Sequence, residues 1–271
     1  MNWFSMARRF FVGSYRIVKQ SGFLSFGLGQ TLYSKAYFFY KRCSEARQTE
    51  IVRRLAWPGT VAVDVGANIG YFTTVMARAV GPTGAVLAFE PEEANVRLLR
   101  AAVRRTGLHN TVLVSAALGA RNGRAALCLN LDNPADHRVY PTNGQTHVSE
   151  VEMITLDHYL DTCGNTRPVS LIKVDVQGAE LHVLRGMHAT LARHPQAHLL
   201  LEFDPAMLRE GGTDPEDVIA FLRERGFAPF LLERANTLQP SSWEAVETRV
   251  TTEGYVDVLL SREPIPEMTS A

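Results

Sequence analysis

Apolar positions run along the chain in short blocks from Val61 onward, and blocks of two kinds alternate. Val61–Val65 is an apolar run broken only by Asp64, the pattern of a strand buried on both faces of a parallel sheet. A small-residue turn follows, then a helically spaced stretch over about 69–80. Ala85–Phe89 reads as a second buried strand, closed by Glu90. The pattern then predicts a helix over 92–106 stopped by Gly107, and a third strand over 111–118. After an interruption it predicts a fourth strand over 170–176, a helix over 179–192 and a fifth strand over 197–203. A helix over 214–225, a sixth strand over 228–233 and a seventh over 255–260, hairpin-paired with the sixth, complete the series. Such alternation predicts an α/β fold with a doubly wound, seven-stranded Rossmann-like sheet.

The interruption spans about 123–155. Two strands, 123–130 and 150–155, flank a polar stretch, so this is a β-hairpin insertion, followed by a short helix over 156–161. Its loop carries Asp136, His137, Arg138 and Tyr140, a concentration of functional groups near the ligand edge of the sheet. The loop reads either as part of a substrate site or as a solvated surface. Residues 234–252 read as a loop that could serve as a lid. Residues 1–56 form a helical N-terminal extension, with helices expected over 2–19 and 32–55. A catalytic domain is expected over 57–262 and a tail over 263–271.

Charge separates the extension from the rest. Lysine plus arginine and aspartate plus glutamate each number 28, so the chain is neutral overall, which argues against nucleic acid as a main partner. Yet residues 1–54 hold ten lysines and arginines against Glu45 and Glu50, and they are crowded with aromatics. That composition fits packing on the catalytic domain or on a twin subunit in a homo-oligomer. It also fits peripheral contact with a membrane surface. No stretch approaches the roughly 18 apolar residues that span a bilayer. Three cysteines without metal or redox spacing make a reducing cytoplasm the expected compartment.

The chemistry concentrates at Asp64-Val65-Gly66-Ala67-Asn68-Ile69-Gly70. Gly66 admits a ligand close to its backbone and Gly70 allows close helix packing. Amides at the helix start favour a polar or anionic ligand end. Glu90, at the end of the second strand, can accept both hydroxyls of a ribose. No third glycine is present for a dinucleotide pyrophosphate, and no Gly-Lys-Ser/Thr for a triphosphate. An acid before the first glycine suits an amine. S-adenosylmethionine, with an amine, a carboxylate, a ribose and no phosphate, matches these features. The alternative is a turn that binds nothing, against which Glu90 stands in register. Backbone around Ala117, after the third strand, is expected at the adenine edge.

With Phe89-Glu90-Pro91, Thr155-Leu156-Asp157 and Ile172-Lys173-Val174-Asp175-Val176-Gln177-Gly178-Ala179-Glu180, the chain resembles the FkbM family of S-adenosylmethionine-dependent methyltransferases. The resemblance covers about 57–233, and it departs at Gln177, where the family commonly has glutamate. It implies O-methylation of a hydroxyl on a sugar, glycan or natural-product scaffold. It also implies that Asp64, Gly66, Asn68 and Gly70 hold the methionine part and Glu90 the ribose.

A hydroxyl acceptor must lose its proton as it attacks. Asp175, at the carboxyl end of the fourth strand, and His137, from the loop, are the candidate bases. Asp136, Arg138, Tyr140 and Glu202 are candidate acceptor contacts. Asp175, Glu202 and Asp204 are hard oxygen ligands that would suit Mg²⁺, but lacking histidine or cysteine spacing they assign no metal ligand. Two rival readings are a methyltransferase-shaped binding protein without turnover and an NAD-dependent oxidoreductase. The second fails on the missing third glycine.

Overall fold

The computed structural model describes residues 27–130, 137–140, 148–232 and 237–265. In chain order the elements begin with α1 (Gly27–Ser44), α2 (Ala46–Leu55), β1 (Val61–Val65), α3 (Tyr71–Val80), β2 (Ala85–Phe89), α4 (Glu93–Thr106) and β3 (Thr111–Val114). The middle holds β4 (Ala117–Leu118), β5 (Gly123–Cys128), β6 (Val148–Ile154), α5 (Leu156–Thr162), β7 (Val169–Val174), α6 (Glu180–Arg185) and α7 (His188–Arg193). The chain continues through β8 (His198–Phe203), α8 (Pro205–Glu210), α9 (Pro215–Glu224), β9 (Ala228–Leu232), β10 (Leu238–Pro240), α10 (Trp243–Glu253) and β11 (Val256–Ser261).

The main sheet has eight strands among the described residues, in the order β10–β9–β11–β8–β7–β1–β2–β3. The central pairs are parallel, and β11 runs antiparallel to both β8 and β9, so the expected hairpin pairing forms. The apolar runs explain why helices cover both faces. Val61, Val63 and Val65 of β1, with Leu199 and Leu201 of β8, face a core closed by α5 to α10. The intervening residues Ala62, Leu171, Leu200 and Leu259 face a second core with Tyr33 and Tyr37 of α1, Ile51, Val52 and Leu55 of α2, and α3. Two-residue alternation thus sorts each strand between the layers. The described part of the N-terminal extension is one of those layers; residues 1–26, with the expected helix over 2–19, lie outside the described residues.

Several expected elements take a different form. The sheet gains an eighth strand, β10, from the stretch read as a loop, and α10 fills most of the remainder. Residues 234–236 of that stretch, and residue 233 at the end of the expected sixth strand, lie outside the described residues. Trp243, Val246 and Val250 of α10 pack on the core, a helical spacing that the surrounding polar residues disguise. The third strand stops at Val114, whose carbonyl accepts the Glu90 amide (3.1 Å). Ala117 and Leu118 then pair with Met153 and Ile154 in a separate sheet ordered β4–β6–β5, which contains the expected hairpin. The helix over 179–192 is two helices, α6 and α7. At the break, a Cβ on Gly186 would lie 2.0 Å from the Gly119 carbonyl oxygen, so the backbones touch there. Asp157 caps the second helix, accepting from the amides of Ala189 (2.9 Å) and Thr190 (2.7 Å). The helix over 32–55 likewise divides at Glu45 into α1 and α2.

Candidate active site

The carboxyl ends of β1, β2 and β7 open on a cavity with about 860 Å³ of empty space, part of it open to solvent. Its floor is the turn after β1. Gly66 (φ +78°) and Asn68 (φ +51°) both take the left-handed conformation there. Asn68 tolerates it because its Oδ1 accepts the Ile69 amide (2.7 Å). A Cβ on Gly66 would lie 2.0 Å from the Asp175 carbonyl oxygen. The glycine is therefore demanded by the neighbouring strand end as well as by any ligand. Gly70 (φ +90°) does not line the cavity; a Cβ there would lie 2.3 Å from Leu99 Cδ1, so its role is close packing of α3 against α4.

Two buried acids face this floor. Glu90 Oε2 accepts the Asn68 amide (2.8 Å), while Oε1 accepts the Glu92 amide (3.0 Å) and Asn95 Nδ2 (3.3 Å). Burial nevertheless pushes its carboxyl up to about 7, against those hydrogen bonds. Asp64 accepts from Thr73 Oγ1 at Oδ2 (2.6 Å), and its Oδ1 is buried with no hydrogen-bond partner among the described residues. Burial raises its carboxyl too, opposed by Lys173 and Thr73. A buried carboxylate oxygen without a partner is costly unless something donates to it.

At the end of β7, Lys173 Nζ donates to Asp175 Oδ2 (2.8 Å) and lies 4.9 Å from the centre of the Phe72 ring. Gln177 Nε2 donates to Asp175 Oδ1 (2.9 Å) and to Glu202 Oε2 (2.6 Å). Burial works to raise the Asp175 carboxyl, but Lys173 and Lys41 overcome it and hold it below the usual carboxylate range. Gln177 (φ +53°) sits in a strained turn that Glu180 braces, its Oε1 accepting the Gly178 amide (3.1 Å). Burial pushes Glu180 up to about 7.

The opposite wall comes from distant segments. Tyr37 and Lys41 of α1 reach the cavity, as do His137 and Val139 of the insertion, while Ala116, Ala117 and Leu118, after β3, line the glycine-turn end. Burial pushes the Tyr37 hydroxyl up to about 12. Lys41 is ion-paired with Glu45. Sequence reasoning missed Tyr37 and Lys41 as wall residues. The available signal was Tyr33, Tyr37 and Lys41 recurring every four residues on one side of a helix, opposite its exposed side.

The cavity thus gathers Asp64, Gly66, Asn68, Glu90, Ala117, His137 and Asp175. Three candidate acceptor contacts lie behind its lining. Arg138 pairs with Glu210, and its backbone bridges to Cys128. Tyr140 donates its hydroxyl to the Gln177 carbonyl (2.7 Å) and packs against Gly178. Glu202 bonds Gln177, and burial, then Asp175, raises its carboxyl well above the ordinary value. Asp136 lies outside the described residues.

The oxygen cluster suggested for Mg²⁺ is not assembled. Asp204 caps α8, accepting the amides of Ala206 (2.9 Å) and Met207 (3.0 Å). Gln177 places a neutral amide between Asp175 and Glu202. Among the described residues no three histidine, cysteine or acidic side chains group in a way that could hold a metal ion.

Comparison with known proteins gives this geometry a family. Methyltransferase 1 of Beauveria bassiana (strain ARSEF 2860) is 34% identical over 146 residues, covering 46% of this chain and 57% of that protein. The chain thus matches little more than half the length of that curated relative. A solved FkbM methyltransferase from Methylobacillus flagellatus KT is 15% identical, with a TM-score of 0.46, covering 86% of this chain and 54% of that one. A solved SAM-dependent O-methyltransferase from Thermotoga maritima is 14% identical, with a TM-score of 0.41, covering 80% of this chain and 64% of that one. The methyltransferase FkbM domain matches residues 64–229, which run from the buried acid of the turn to the sixth strand of the predicted series, and the chain belongs to the FkbM methyltransferase family.

Proposed function

We propose that the protein is an S-adenosylmethionine-dependent O-methyltransferase acting on a hydroxyl of a sugar, glycan or natural-product scaffold. The observation that carries the cofactor is the pair of buried acids at the glycine turn. Among the described residues Asp64 has a buried carboxylate oxygen without a partner, which fits an amine donor. Glu90 has a carboxyl raised to about 7 and three of its four acceptor positions filled, and the fourth fits one hydroxyl donor from a ribose. Ala116, Ala117 and Leu118 offer a flat apolar edge suited to adenine. When bound, the cofactor supplies a methyl group on a sulfonium sulfur.

The chain's own residues position the acceptor and take its proton. Asp175, fixed at both oxygens, receives the proton that the acceptor hydroxyl gives up as its oxygen is methylated. It is a weak base, but a protonated ether is a far stronger acid than a carboxylic acid, so a late transfer to Asp175 is downhill. His137 Nδ1 accepts the Asn130 amide (3.1 Å), which leaves the proton of a neutral ring on Nε2. In that tautomer His137 donates to the acceptor and orients it, leaving the base role to Asp175. Tyr37, Tyr71 and Phe72 give the wall aromatic faces on which a sugar or polyketide ring can lie. Alignment of acceptor oxygen, methyl carbon and sulfur is then a proximity effect.

The test is calorimetric titration with S-adenosylmethionine and, in parallel, NAD. The wild type binds the first and not the second, and Glu90→Ala weakens binding about 10- to 100-fold, the worth of one hydrogen bond to a charged group. Absence of S-adenosylmethionine binding by a folded wild type overturns the proposal. Binding established, a screen of sugar and polyketide hydroxyls with radiolabelled methyl identifies the acceptor.

A further inference from the structure

Helix α1 is apolar on two opposite sides. Its inner side joins the core through Tyr33 and Tyr37 and reaches the cavity with Tyr37 and Lys41. Its outer side carries Leu28 (74% exposed), Leu32 (50%) and Phe39 (65%). At 3.6 residues per turn these three fall on one stripe, and the exposed Lys35 and Arg42 flank it on one side. The helix contains no acidic residue. A surface helix of a globular protein ordinarily turns a polar face to solvent. Single exposed apolar side chains are common, but three aligned on one helix form a patch that something covers.

Charge selects the occupant. Upstream, residues 1–26 carry Arg8, Arg9, Arg16 and Lys19, no acid, and seven aromatics, while the rest of the chain is net acidic. A second copy meeting the same stripe through a two-fold axis would bring Lys35 and Arg42 toward their own counterparts, a like-charge arrangement. Leucine and phenylalanine beside a row of cations match the boundary between acyl chains and anionic headgroups. We propose that the outer face of α1 docks on an anionic lipid surface, with Leu28, Leu32 and Phe39 entering the acyl boundary and Lys35 and Arg42 at the headgroups. Because the same helix walls the cavity, docking fixes how the cavity faces the bilayer. Among the described residues no helix is long and apolar enough to cross a membrane, so this contact is peripheral.

The experiment is co-sedimentation of the full chain with phosphatidylcholine vesicles, with and without phosphatidylserine. The wild type binds the phosphatidylserine vesicles, added salt weakens that binding, and neutral vesicles bind at least tenfold less. Leu32→Glu with Phe39→Glu lowers binding at least tenfold, with thermal midpoint and S-adenosylmethionine affinity unchanged. Should that variant fail to fold, Lys35→Glu with Arg42→Glu serves in its place and shows the same loss. The proposal is overturned if the wild type ignores anionic vesicles or if the folded variant binds them as well as the wild type. It is equally overturned if analytical ultracentrifugation finds a dimer that the variant dissolves, which would make the stripe a contact between copies. The S-adenosylmethionine titration separates failure here from failure of the methyl-transfer reading.

Discussion

The two ends of the cavity are made differently. The glycine-turn end, including Asp64, Asn68, Glu90 and Ala117, comes from one stretch of chain within β1 to β4. Its shape is held by backbone: Gly66 and Ala67 both donate to the Phe89 carbonyl (3.0 Å each), and Glu90 is tied to the Asn68 amide. The opposite wall comes from α1, the insertion and the end of β7, segments far apart in the chain. Its members are placed by helix packing, which sets Tyr37 and Lys41, and by a side-chain network of Lys173, Asp175, Gln177 and Glu202. Backbone geometry leaves few ways to vary the first end, whereas the second can change with any substitution on α1 or in the insertion. A fixed cofactor end and a variable acceptor wall fit the proposed activity, because the acceptor is what must differ from one enzyme to another.

The sharpest way to break the comparison is substitution at the two turn glycines. Gly66→Ala places a methyl on a backbone carbonyl that cannot move aside, in a left-handed conformation. It is expected to cost roughly 3 kcal/mol or more of stability. Gly70→Ala carries the same left-handed strain (φ +90°) but meets the end of the Leu99 side chain, which can rotate, and is expected to cost about 2 kcal/mol. Denaturant unfolding measures both; equal costs would refute the backbone account of this end. A pH series probes the same end with a smaller effect. Glu90 and Glu180, both raised to about 7 by burial, bind more protons folded than unfolded above pH 4.5. Their contribution to stability is present at low pH and is lost as pH rises through 7. The depressed histidines, His182, His194 and His198, act oppositely; in the unfolded chain they are half charged at pH 6.5, so they offset part of that loss until about pH 7.5. The free protein is therefore expected to lose about 1 kcal/mol between pH 6.5 and 8. Saturating S-adenosylmethionine should flatten that slope, since a ribose donor favours the ionised Glu90; an unchanged slope would separate Glu90 from the ligand. The wall shows in kinetics instead of stability. Lys41→Met should raise acceptor KM about tenfold and leave cofactor affinity within about twofold. An equal loss in both would show that the wall serves the cofactor as well.

This contrast also explains what could be read from the sequence. The order of strands and helices was legible because buried parallel strands are nearly continuous apolar runs, and the glycine-turn end was legible because its residues are close in sequence. Asp175 was placed by its position at a strand end. Tyr37 and Lys41 were not, because nothing local says which side of α1 faces the sheet. Asp157 could be noted but not interpreted: its partners, the amides of α7, become visible only once the 179–192 helix breaks at Gly186. Arg138 and Tyr140 looked like acceptor contacts because they are polar loop residues. In the structure they tie the insertion to Glu210 and to the Gln177 carbonyl, long-range contacts that no spacing announces.

The contact between Gly66 and the Asp175 carbonyl bears on motion. The Asp175 amide also donates to the Val65 carbonyl (3.1 Å), so the turn and the tip of β7 are latched on both sides. Neither can swing open without dislodging the other. Amide exchange at Val65, Gly66 and Asp175 should therefore report one shared opening rather than two. Because thermal fluctuations carry the turn and the carboxylate together, α1 and the insertion can be recast for a new acceptor without loosening that pairing.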